Sequence, residues 1–371
     1  MILLSRCPFA RQMPAGSSII HRFDRLVEKW SVAANYHEED SMITTGGRFA
    51  RDLALAACIG SSLGVPAHAQ ELKTWRHSII APKADAGFFY MAAKRGFFQR
   101  EGLKVETLEV KDDAIGIKAL LSGEVDSHEG TAGALAAAAR GADVKILGCP
   151  WHGVPYVLLA RPGITSMEQL RGKSIASSSP GTPPEMMARA SLALFKIPQS
   201  EVKLAAVGGD RDRYAALLGG VVDAAVVSNE YTPLPQTKNL KVLVEGRQAL
   251  PKSVRFCVQM TGKTVSVRRE DAIRFMTAEI KAWRYAVANR SETINVTMEA
   301  TDAKADDPRP AYIFDDAVDN GIVKPDFPIP AENLAWMQEQ MVQLGQIPKA
   351  GDISKVLSAE IGAEALKRVG K

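Results

Sequence analysis

An eight-residue segment that occurs twice constrains the architecture of this chain more than any other feature of its sequence. Residues 119–126 read ALLSGEVD and residues 216–223 read ALLGGVVD, 97 residues apart. In each copy an apolar helical segment ends at a glycine, which readily adopts the positive φ of a helix C-terminus, and a short strand follows. Because self-similarity of this kind indicates repeated structural units, we predict two related lobes.

The segments around the two copies alternate between strands and helices in the same order. Each lobe begins with a strand, passes through a loop of small and polar residues into a helix, and reaches a second strand before the repeated segment. The predicted strands are 78–81 and 104–110 in the first lobe, and 174–177 and 202–207 in the second. This order is typical of a parallel sheet covered by helices, so we predict an α/β fold for both lobes.

Two further apolar strands, over residues 154–160 and 254–260, flank the second lobe and are the natural crossovers between the lobes. We therefore assign residues 70–160 to lobe 1, residues 161–253 to lobe 2, and residues 254–371 to a return to lobe 1. Helical spacing of apolar residues predicts four C-terminal helices, over 269–289, 311–320, 331–344 and 353–369. Two crossovers would leave a cleft between the lobes, and small ligands commonly bind in such clefts.

The composition excludes several other classes of protein. Of the 371 residues 46% are hydrophobic and 24% are charged, and the formal net charge is +4. These values are typical of a globular chain, and the net charge is too small for an extended nucleic-acid-binding surface. No uninterrupted apolar stretch reaches the ~20 residues that a membrane-spanning helix needs. We expect a monomer that binds no nucleic acid.

The N-terminal part of the sequence is typical of an export signal. Two arginines precede an apolar run over residues 53–65, and residues 67–69 (AHA) form a small-x-small cleavage site. We predict a signal peptide over residues 42–69, which starts at its methionine and is cleaved before Gln70, so that the mature protein is periplasmic. Residues 1–41 would then be a non-native extension or a disordered one.

The cysteines leave two alternatives open. Residues 55–58 (LAAC) resemble a lipoprotein cleavage box, which would leave Cys58 as a lipidated first residue. We favour the longer signal, because the lipoprotein reading leaves only residues 53–57 as the apolar core.

Cys149 and Cys257 remain after cleavage at either site. In an oxidising compartment they form a disulfide, or they stay as buried free thiols.

Several segments of the mature chain resemble a known family when they are taken in order. They are ADAGFFYMAAKRGFF (84–98), EGLKV (101–105), LSGEVD (121–126), ARG (139–141), LRGKSI (170–175) and LGGVVDAA (218–225). The set resembles the substrate-binding proteins of nitrate/sulfonate/taurine-type ABC importers, a superfamily shared with thiamine-precursor synthase. The resemblance implies a type II periplasmic binding protein: two α/β lobes with a ligand cleft and two crossovers. It also implies capture of a small anionic or zwitterionic organic solute (a sulfonate, a taurine-like compound or a carboxylate) for delivery to a membrane permease and its ATPase.

In that family the ligand contacts come from loops at the carboxyl ends of strands, as is general for open α/β sheets. Four loops match, and an aromatic residue at the end of another strand could form a wall of the cleft. The candidate ligand-binding residues are Asp85, Ala86, Gly130, Thr131, Trp151, Ser178, Ser179, Gly181, Thr182, Asn229 and Tyr231. The loops at Thr131 and Thr182 also begin helices, whose N-terminal amides favour anions. Helix capping, for Asp85 above all, remains the alternative interpretation.

Other charged residues are better explained by structure than by chemistry. Asp126 and Asp223 stand at equivalent positions of the two repeats, so a helix-to-strand turn accounts for both. Arg211 and Arg213 follow a Gly-Gly-Asp loop, and we interpret them as part of a solvated helix face.

No enzyme motif stands out in the sequence. After residue 69 the sequence contains no HExxH, CxxC or GxSxG and only three histidines. Cys149 and His152 lie three residues apart at a predicted strand end, which is more typical of core and hinge than of a catalytic pair. The thiamine-precursor synthase of the superfamily that this chain resembles needs a cofactor lysine and a Cys/His cluster. We find no such cluster in this sequence. We therefore expect no enzyme, cofactor or metal, with a synthase-like enzyme or a ligand sensor on the same fold as the alternative.

Overall fold

The computed structural model describes residues 71–178 and 182–370. The signal peptide, the extension over residues 1–41 and Cys58 lie outside these residues, as do the candidate binding residues Ser179 and Gly181. Within the described residues, no helix is long and apolar enough to cross a bilayer.

The strands of the described residues form two sheets of five. The strands are β1 (Lys73–Ile80), β2 (Leu103–Val110), β3 (Ser127–Gly130), β4 (Val144–His152), β5 (Tyr156–Ala160), β6 (Ser174–Ser177), β7 (Lys203–Ala206), β8 (Ala224–Ser228), β9 (Lys241–Glu245) and β10 (Val254–Thr261). The first sheet has the order β2-β1-β3-β10-β4 and the second has the order β7-β6-β8-β5-β9. β10 and β5 are antiparallel to their neighbours, and the other strand pairs are parallel. Both sheets therefore have the same topology, as the repeated segment predicts.

The antiparallel strand of each sheet is the one that connects the lobes. β5 pairs along its whole length with β8, from Tyr156 opposite Ser228 to Ala160 opposite Ala224. The assignment of residues 154–160 to lobe 1 therefore needs correction: the chain leaves lobe 1 after β4 and has entered lobe 2 by Tyr156. An apolar run identifies a buried strand but not its partner, because the pairing is nonlocal. The crossovers are residues 153–155 and 246–253, which separate the strands of the two sheets.

Helices cover both sheets, and most of them match the predicted segments. They are α1 (Ala86–Lys94), α2 (Phe97–Arg100), α3 (Asp113–Ser122), α4 (Ala132–Ala139), α5 (Pro183–Leu194), α6 (Asp210–Leu218), α7 (Gly246–Ala249), α8 (Gly262–Val267), α9 (Arg269–Ala288), α10 (Arg290–Thr301), α11 (Arg309–Asp319), α12 (Ala331–Gln343) and α13 (Ala359–Val369). α10 has no counterpart among the predicted helices, and its buried residues are Thr293, Val296 and Thr297. Its two threonine hydroxyls donate to backbone carbonyls, so a polar pair packs inward where an apolar pattern is expected.

The core of lobe 1 is aromatic and is organised by α9. Trp283 and Phe275 of this helix are fully buried and pack against Phe88 and Trp75.

On the neighbouring strands β4 and β10, Cys149 and Cys257 form a disulfide. Of the two alternatives that the sequence leaves open, a disulfide or two buried free thiols, the structure shows the disulfide.

Asp126 and Asp223 occupy the same position in the two sheets. Asp126 Oδ2 accepts a hydrogen bond from the Arg76 amide at 2.8 Å, and Asp223 Oδ2 accepts one from the Ser174 amide at 2.9 Å. Each carboxylate thus joins the start of one strand to its parallel neighbour in the sheet, β3 to β1 for Asp126 and β8 to β6 for Asp223. Burial acts to raise the pKa of Asp223, but the hydrogen bonds from Ser174 and the charge of Arg161 outweigh it and lower the pKa. The structural interpretation of both residues is confirmed.

Candidate functional site

The cleft lies where corresponding edges of the two sheets meet. The carboxyl ends of β1 to β4 and the start of β10 share one edge of the first sheet. The carboxyl ends of β6 to β9 and the start of β5 share one edge of the second. Loops from both edges line a space of about 390 Å³, including its open mouth. Its polar side chains are Lys83, Asp85 and Arg255 from lobe 1, and Tyr156, Asp210, Ser228, Asn229 and Glu230 from lobe 2.

An ion pair joins the two lobes across this cleft. Lys83, at the end of β1, places its Nζ 2.7 Å from Oδ2 of Asp210, the first residue of α6. Burial acts to lower the pKa of Lys83, but the charge of Asp210 and its hydrogen bond outweigh burial and raise it. Lys83 is therefore a cation at neutral pH, and sequence reasoning did not select it as a candidate.

A buried arginine of lobe 2 holds the Asp210 side chain in place. Arg213 is only 2% exposed, and its guanidinium donates to the carbonyls of Val226 and Gly208 at 2.6 and 2.7 Å and pairs with Asp210. The interpretation of Arg213 as part of a solvated face is wrong, because its side chain turns back towards β8 and completes the N-terminus of α6. The cleft thus holds an anchored anion on lobe 2 and a half-exposed cation on lobe 1.

Two neighbouring contacts also bring the lobes together. The Ala84 amide donates to Oε2 of Glu230 at 3.4 Å, and burial raises the pKa of this glutamate despite the opposing charge of Lys83. Nδ2 of Asn229 donates to Oδ2 of Asp316 on α11 at 2.8 Å. Asn229 lines the cleft, and its Nδ2 already has a partner from the C-terminal helices, whereas its Oδ1 is buried without a hydrogen-bond partner.

Asp85 orients an arginine at the base of the cleft. Its Oδ2 lies 2.6 Å from an Arg255 guanidinium nitrogen, and its Oδ1 accepts from the Lys83 amide at 2.9 Å. It makes no capping hydrogen bond to α1, so the capping interpretation is wrong. Arg255 lies over the rings of Trp151 and Phe256, 5.3 and 4.3 Å from their centroids. The only sequence signal for Arg255 is a lone cation in the apolar strand VRFCVQM.

The predicted aromatic residues lie elsewhere than on the cleft wall. Trp151 is 3% exposed and packs edge-on against Phe88 and Trp283 in the core. Its contribution to the cleft is therefore the ring face on which the Arg255 guanidinium lies. Tyr231 packs against Tyr214, with ring centroids 4.6 Å apart and the ring planes tilted by 33°. The aromatic residue that lines the cleft is Tyr156, whose pKa is raised by burial and by the charge of Asp210. Ala86 is fully buried at the start of α1.

The loop at Gly130 and Thr131 already holds a carboxylate. Oδ2 of Asp113 accepts from the amides of Thr131 and Gly133, at 3.2 and 2.6 Å. The Thr131 hydroxyl donates to the carbonyls of Gly130 and Arg255. The helix-terminal amides predicted to receive a ligand are thus occupied by a side chain of the protein itself.

The loop before α5 is described in part. Ser178 follows β6 and is half-buried, and Thr182 directly precedes Pro183, the first residue of α5, with an extended backbone. This geometry suits a helix N-terminus at the carboxyl edge of the second sheet, which is the edge that forms the cleft. Across residues 71–178 and 182–370, no group of three or more histidine, cysteine, aspartate or glutamate side chains could hold a metal ion.

A family model described as NMT1/THI5 like matches residues 83–293, which is more than half of the chain. The chain belongs to this family. The matched residues of the NMT1/THI5-like chain run from Lys83, through both sheets, to the start of α10, and so include all the cleft residues named above. No curated protein sequence matches the chain.

Solved structures show the same fold at low sequence identity. A putative sulfonate ABC transporter protein, the periplasmic sulfonate-binding SsuA of Methylobacillus flagellatus KT, is 18% identical with a TM-score of 0.64, covering 81% of this chain and 96% of that one. The periplasmic nitrate-binding protein NrtA of Synechocystis PCC 6803 is 16% identical with a TM-score of 0.63, covering 81% and 90%. The CA3427 gene product of Candida albicans, which has the generic periplasmic binding protein fold, is 16% identical with a TM-score of 0.59, covering 77% and 96%. The predicted type II periplasmic binding protein fold is confirmed.

Proposed function

We propose that this NMT1/THI5-like chain is an extracytoplasmic solute-binding protein. It captures a small organic solute in the cleft between its lobes and delivers it to the permease and ATPase of an ABC importer. The fold, the two crossovers and the charged cleft support this proposal. The export signal in the sequence and the solutes named for the similar structures agree with a periplasmic location and with a charged ligand.

The Lys83–Asp210 ion pair carries the proposal for the ligand. It consists of one cation on lobe 1 and one anion on lobe 2, at hydrogen-bond distance across the cleft. A zwitterion that enters between them pairs its acidic group with Lys83 and its ammonium group with Asp210, so both charges keep a partner. A simple anion would pair with Lys83 and leave Oδ2 of Asp210 without a partner from lobe 1, since Arg213 bonds the other oxygen of this carboxylate, and a partly desolvated charge that loses a partner is unfavourable. Of the anionic and zwitterionic solutes that the sequence favours, we therefore propose the zwitterionic class.

A thermal-shift screen with matched compounds tests this function. The purified protein is heated with sets of three molecules: a zwitterion such as taurine or β-alanine, the acid that lacks its amine, and the amine that lacks its acid. Because a ligand that binds only the folded state stabilises it by RT ln(1 + [L]/Kd), the zwitterion of at least one set should raise the melting temperature most. A screen in which no compound raises it contradicts a solute-binding function. A screen in which only the amines or only the acids raise it contradicts the zwitterionic class.

A further inference from the structure

We propose that Asn229 is a specificity-determining residue of the cleft: its side-chain carbonyl oxygen, Oδ1, accepts a hydrogen bond from an N–H of the solute's cationic group. The solute then belongs to a narrower class than zwitterions in general. Its cation carries N–H groups, as a primary ammonium does, and quaternary ammonium compounds are excluded. The inference rests on the proposed function, because it concerns the cationic end of the same solute.

Oδ1 of Asn229 is an acceptor without a donor. The atom is buried and has no hydrogen-bond partner. Among the described residues that line the cleft, no other has a buried side-chain nitrogen or oxygen without a partner. Buried polar atoms in proteins are nearly always hydrogen-bonded, and leaving one unsatisfied is unfavourable. An N–H of a bound solute would satisfy this oxygen.

Asp316 determines which end of the Asn229 amide is left for the solute. Nδ2 of Asn229 donates to Oδ2 of Asp316 at 2.8 Å. Oδ1 of Asp316 accepts from Nδ2 of Asn320 at 2.9 Å and lies 3.4 Å from a guanidinium nitrogen of Arg247. Because donors surround this carboxylate, a half-turn of the Asn229 amide would set two acceptor oxygens against each other. Asp316 is therefore a positioning residue that keeps Nδ2 towards α11 and leaves Oδ1 for a donor.

The charges that line the cleft place a solute cation on the side of Asn229. Lobe 1 contributes Lys83 and Arg255 as cations, and its Asp85 is already paired with Arg255. Lobe 2 contributes Asp210, which receives the ammonium group in the proposed function, and Asn229 lines the same space. A primary ammonium has three N–H donors, as the lysine side chain does, so it can bond both Asp210 and Asn229.

The lining of the cleft does not suit a quaternary ammonium group. Protein sites for such cations typically surround the methyl groups with several aromatic rings. In residues 71–178 and 182–370, Tyr156 is the only aromatic residue that lines the cleft. Hydrogen bonds from an N–H cation to Asp210 and Asn229 therefore fit this lining better than contacts to methyl groups do.

Two pairs of compounds test the proposal: taurine and β-alanine, each with its N-trimethyl derivative. Titration calorimetry measures both members of each pair on the wild type, on Asn229→Leu and on Asn239→Leu. In at least one pair, the wild type should bind the primary ammonium compound roughly tenfold or more tightly than its trimethyl derivative. Asn239, at an exposed position of lobe 2, is the control, and its variant should bind like the wild type.

Asn229→Leu separates hydrogen bonding from size, because leucine keeps the branched shape of asparagine but has no polar atom. This variant should bind the primary ammonium compound roughly tenfold more weakly than the wild type does, and the trimethyl derivative with similar affinity. Discrimination that comes only from the bulk of the methyl groups would persist in the variant. Circular dichroism confirms the fold, and Asn229→Val replaces the leucine variant if that variant does not fold.

Two results would overturn the proposal. The first is a wild type that binds the trimethyl compounds at least as tightly as the primary ones. The second is a folded Asn229→Leu or Asn229→Val protein that discriminates between the two compounds as the wild type does. In both cases the protein still binds zwitterions, so the proposed function stands. A wild type that binds none of the four compounds contradicts the proposed zwitterionic solute itself, and this inference with it.

Discussion

Lys83 and Asp210 are 127 residues apart in the sequence, and their side chains meet across the cleft with Nζ 2.7 Å from Oδ2. Lys83 belongs to the loop that follows the first strand of lobe 1. Asp210 is the first residue of α6, the helix that follows β7 of lobe 2, and Arg213 fixes it there. The pair therefore depends on the approach of the two lobes, and it places opposite charges on the two sides of the proposed solute position.

Replacement of Lys83 by methionine should weaken binding of the zwitterionic solute by roughly tenfold or more. The variant keeps the length of the side chain but removes the cation that pairs with the acidic group, and hydrogen bonds to charged groups contribute about 1.5–3 kcal/mol. Calorimetry on the compound selected by the screen measures the change. Lys118→Met, at an exposed position of α3 in the same lobe, is the control and should bind like the wild type. Equal affinity of both variants would contradict a role for Lys83.

The loop before α5 should contribute to binding through its hydroxyl groups. Replacement of Ser178 and Thr182 together by alanine should lower the affinity roughly tenfold, since each hydrogen bond contributes about 0.5–1.5 kcal/mol. Titration calorimetry measures the loss, with circular dichroism to confirm that the variant folds. Ser200→Ala, at an exposed position of lobe 2 that precedes β7, should leave the affinity unchanged. An unchanged affinity of the double variant would exclude this loop from the site.

Loss of the disulfide should destabilise lobe 1. Cys149 and Cys257 are 108 residues apart, and disulfides typically stabilise proteins by about 2–4 kcal/mol, with more stabilisation for longer loops. Urea unfolding with and without a reducing agent measures the difference, and a Cys149→Ala, Cys257→Ala variant should no longer respond to the reducing agent. Titration of the unreduced, unfolded protein with a thiol reagent gives an independent check. Reaction of both cysteines in that titration would show that the disulfide is not formed.

A buried glutamate should make the stability of the protein depend on pH. Burial raises the pKa of Glu129 to about 8, an effect to which Asp85 adds and which His128 and Arg255 oppose. The folded state then holds a proton that the unfolded state releases above its ordinary pKa of 4.5. The stability contributed by protonated Glu129 is complete below about pH 4.5 and is lost as the pH rises towards about 8, by at most about 1.4 kcal/mol per pH unit.

Glu129→Gln isolates this effect, because glutamine resembles the protonated acid and does not titrate. Urea unfolding at pH 5, 6, 7 and 8 should show that the variant becomes increasingly stable relative to the wild type as the pH rises. Glu124→Gln, at an exposed position of the same lobe, should follow the wild type throughout. A constant difference between Glu129→Gln and the wild type would mean that Glu129 does not titrate in this range.

The sequence predicts the fold well because the signals for it are local. The repeated segment, the glycine that ends each of its helices and the apolar strands are readable without knowledge of any partner. Two features escape this reasoning for physical reasons. β5 is recognisable as a strand, but its place in the second sheet depends on its pairing with β8. α10 packs Thr293 and Thr297 inward, so the apolar spacing that identifies other helices is missing.

The candidate site is predicted less completely, because it depends on pairs of charges that only the folded chain brings together. Asp85 and Asn229 line the cleft, as expected from strand ends. Lys83 has no local signal, and Arg255 has only that of a lone cation in an apolar strand, since their roles come from Asp210 and Asp85. Thr131 does begin a helix, but its amide is taken by Asp113, 18 residues away in the sequence. The spacing of residues in the sequence cannot show that a side chain of the same protein already accepts the hydrogen bonds of a helix N-terminus.

The two lobes should close on a solute that binds between them, and small-angle X-ray scattering measures this closure. A single half-exposed ion pair such as Lys83–Asp210 contributes only about 0–1 kcal/mol, so it cannot hold the lobes together by itself, and the solute-free protein should populate more open forms. The radius of gyration should therefore decrease when the zwitterion selected by the screen saturates the protein. A radius of gyration that is the same with and without saturating solute would contradict a cleft that closes on its ligand.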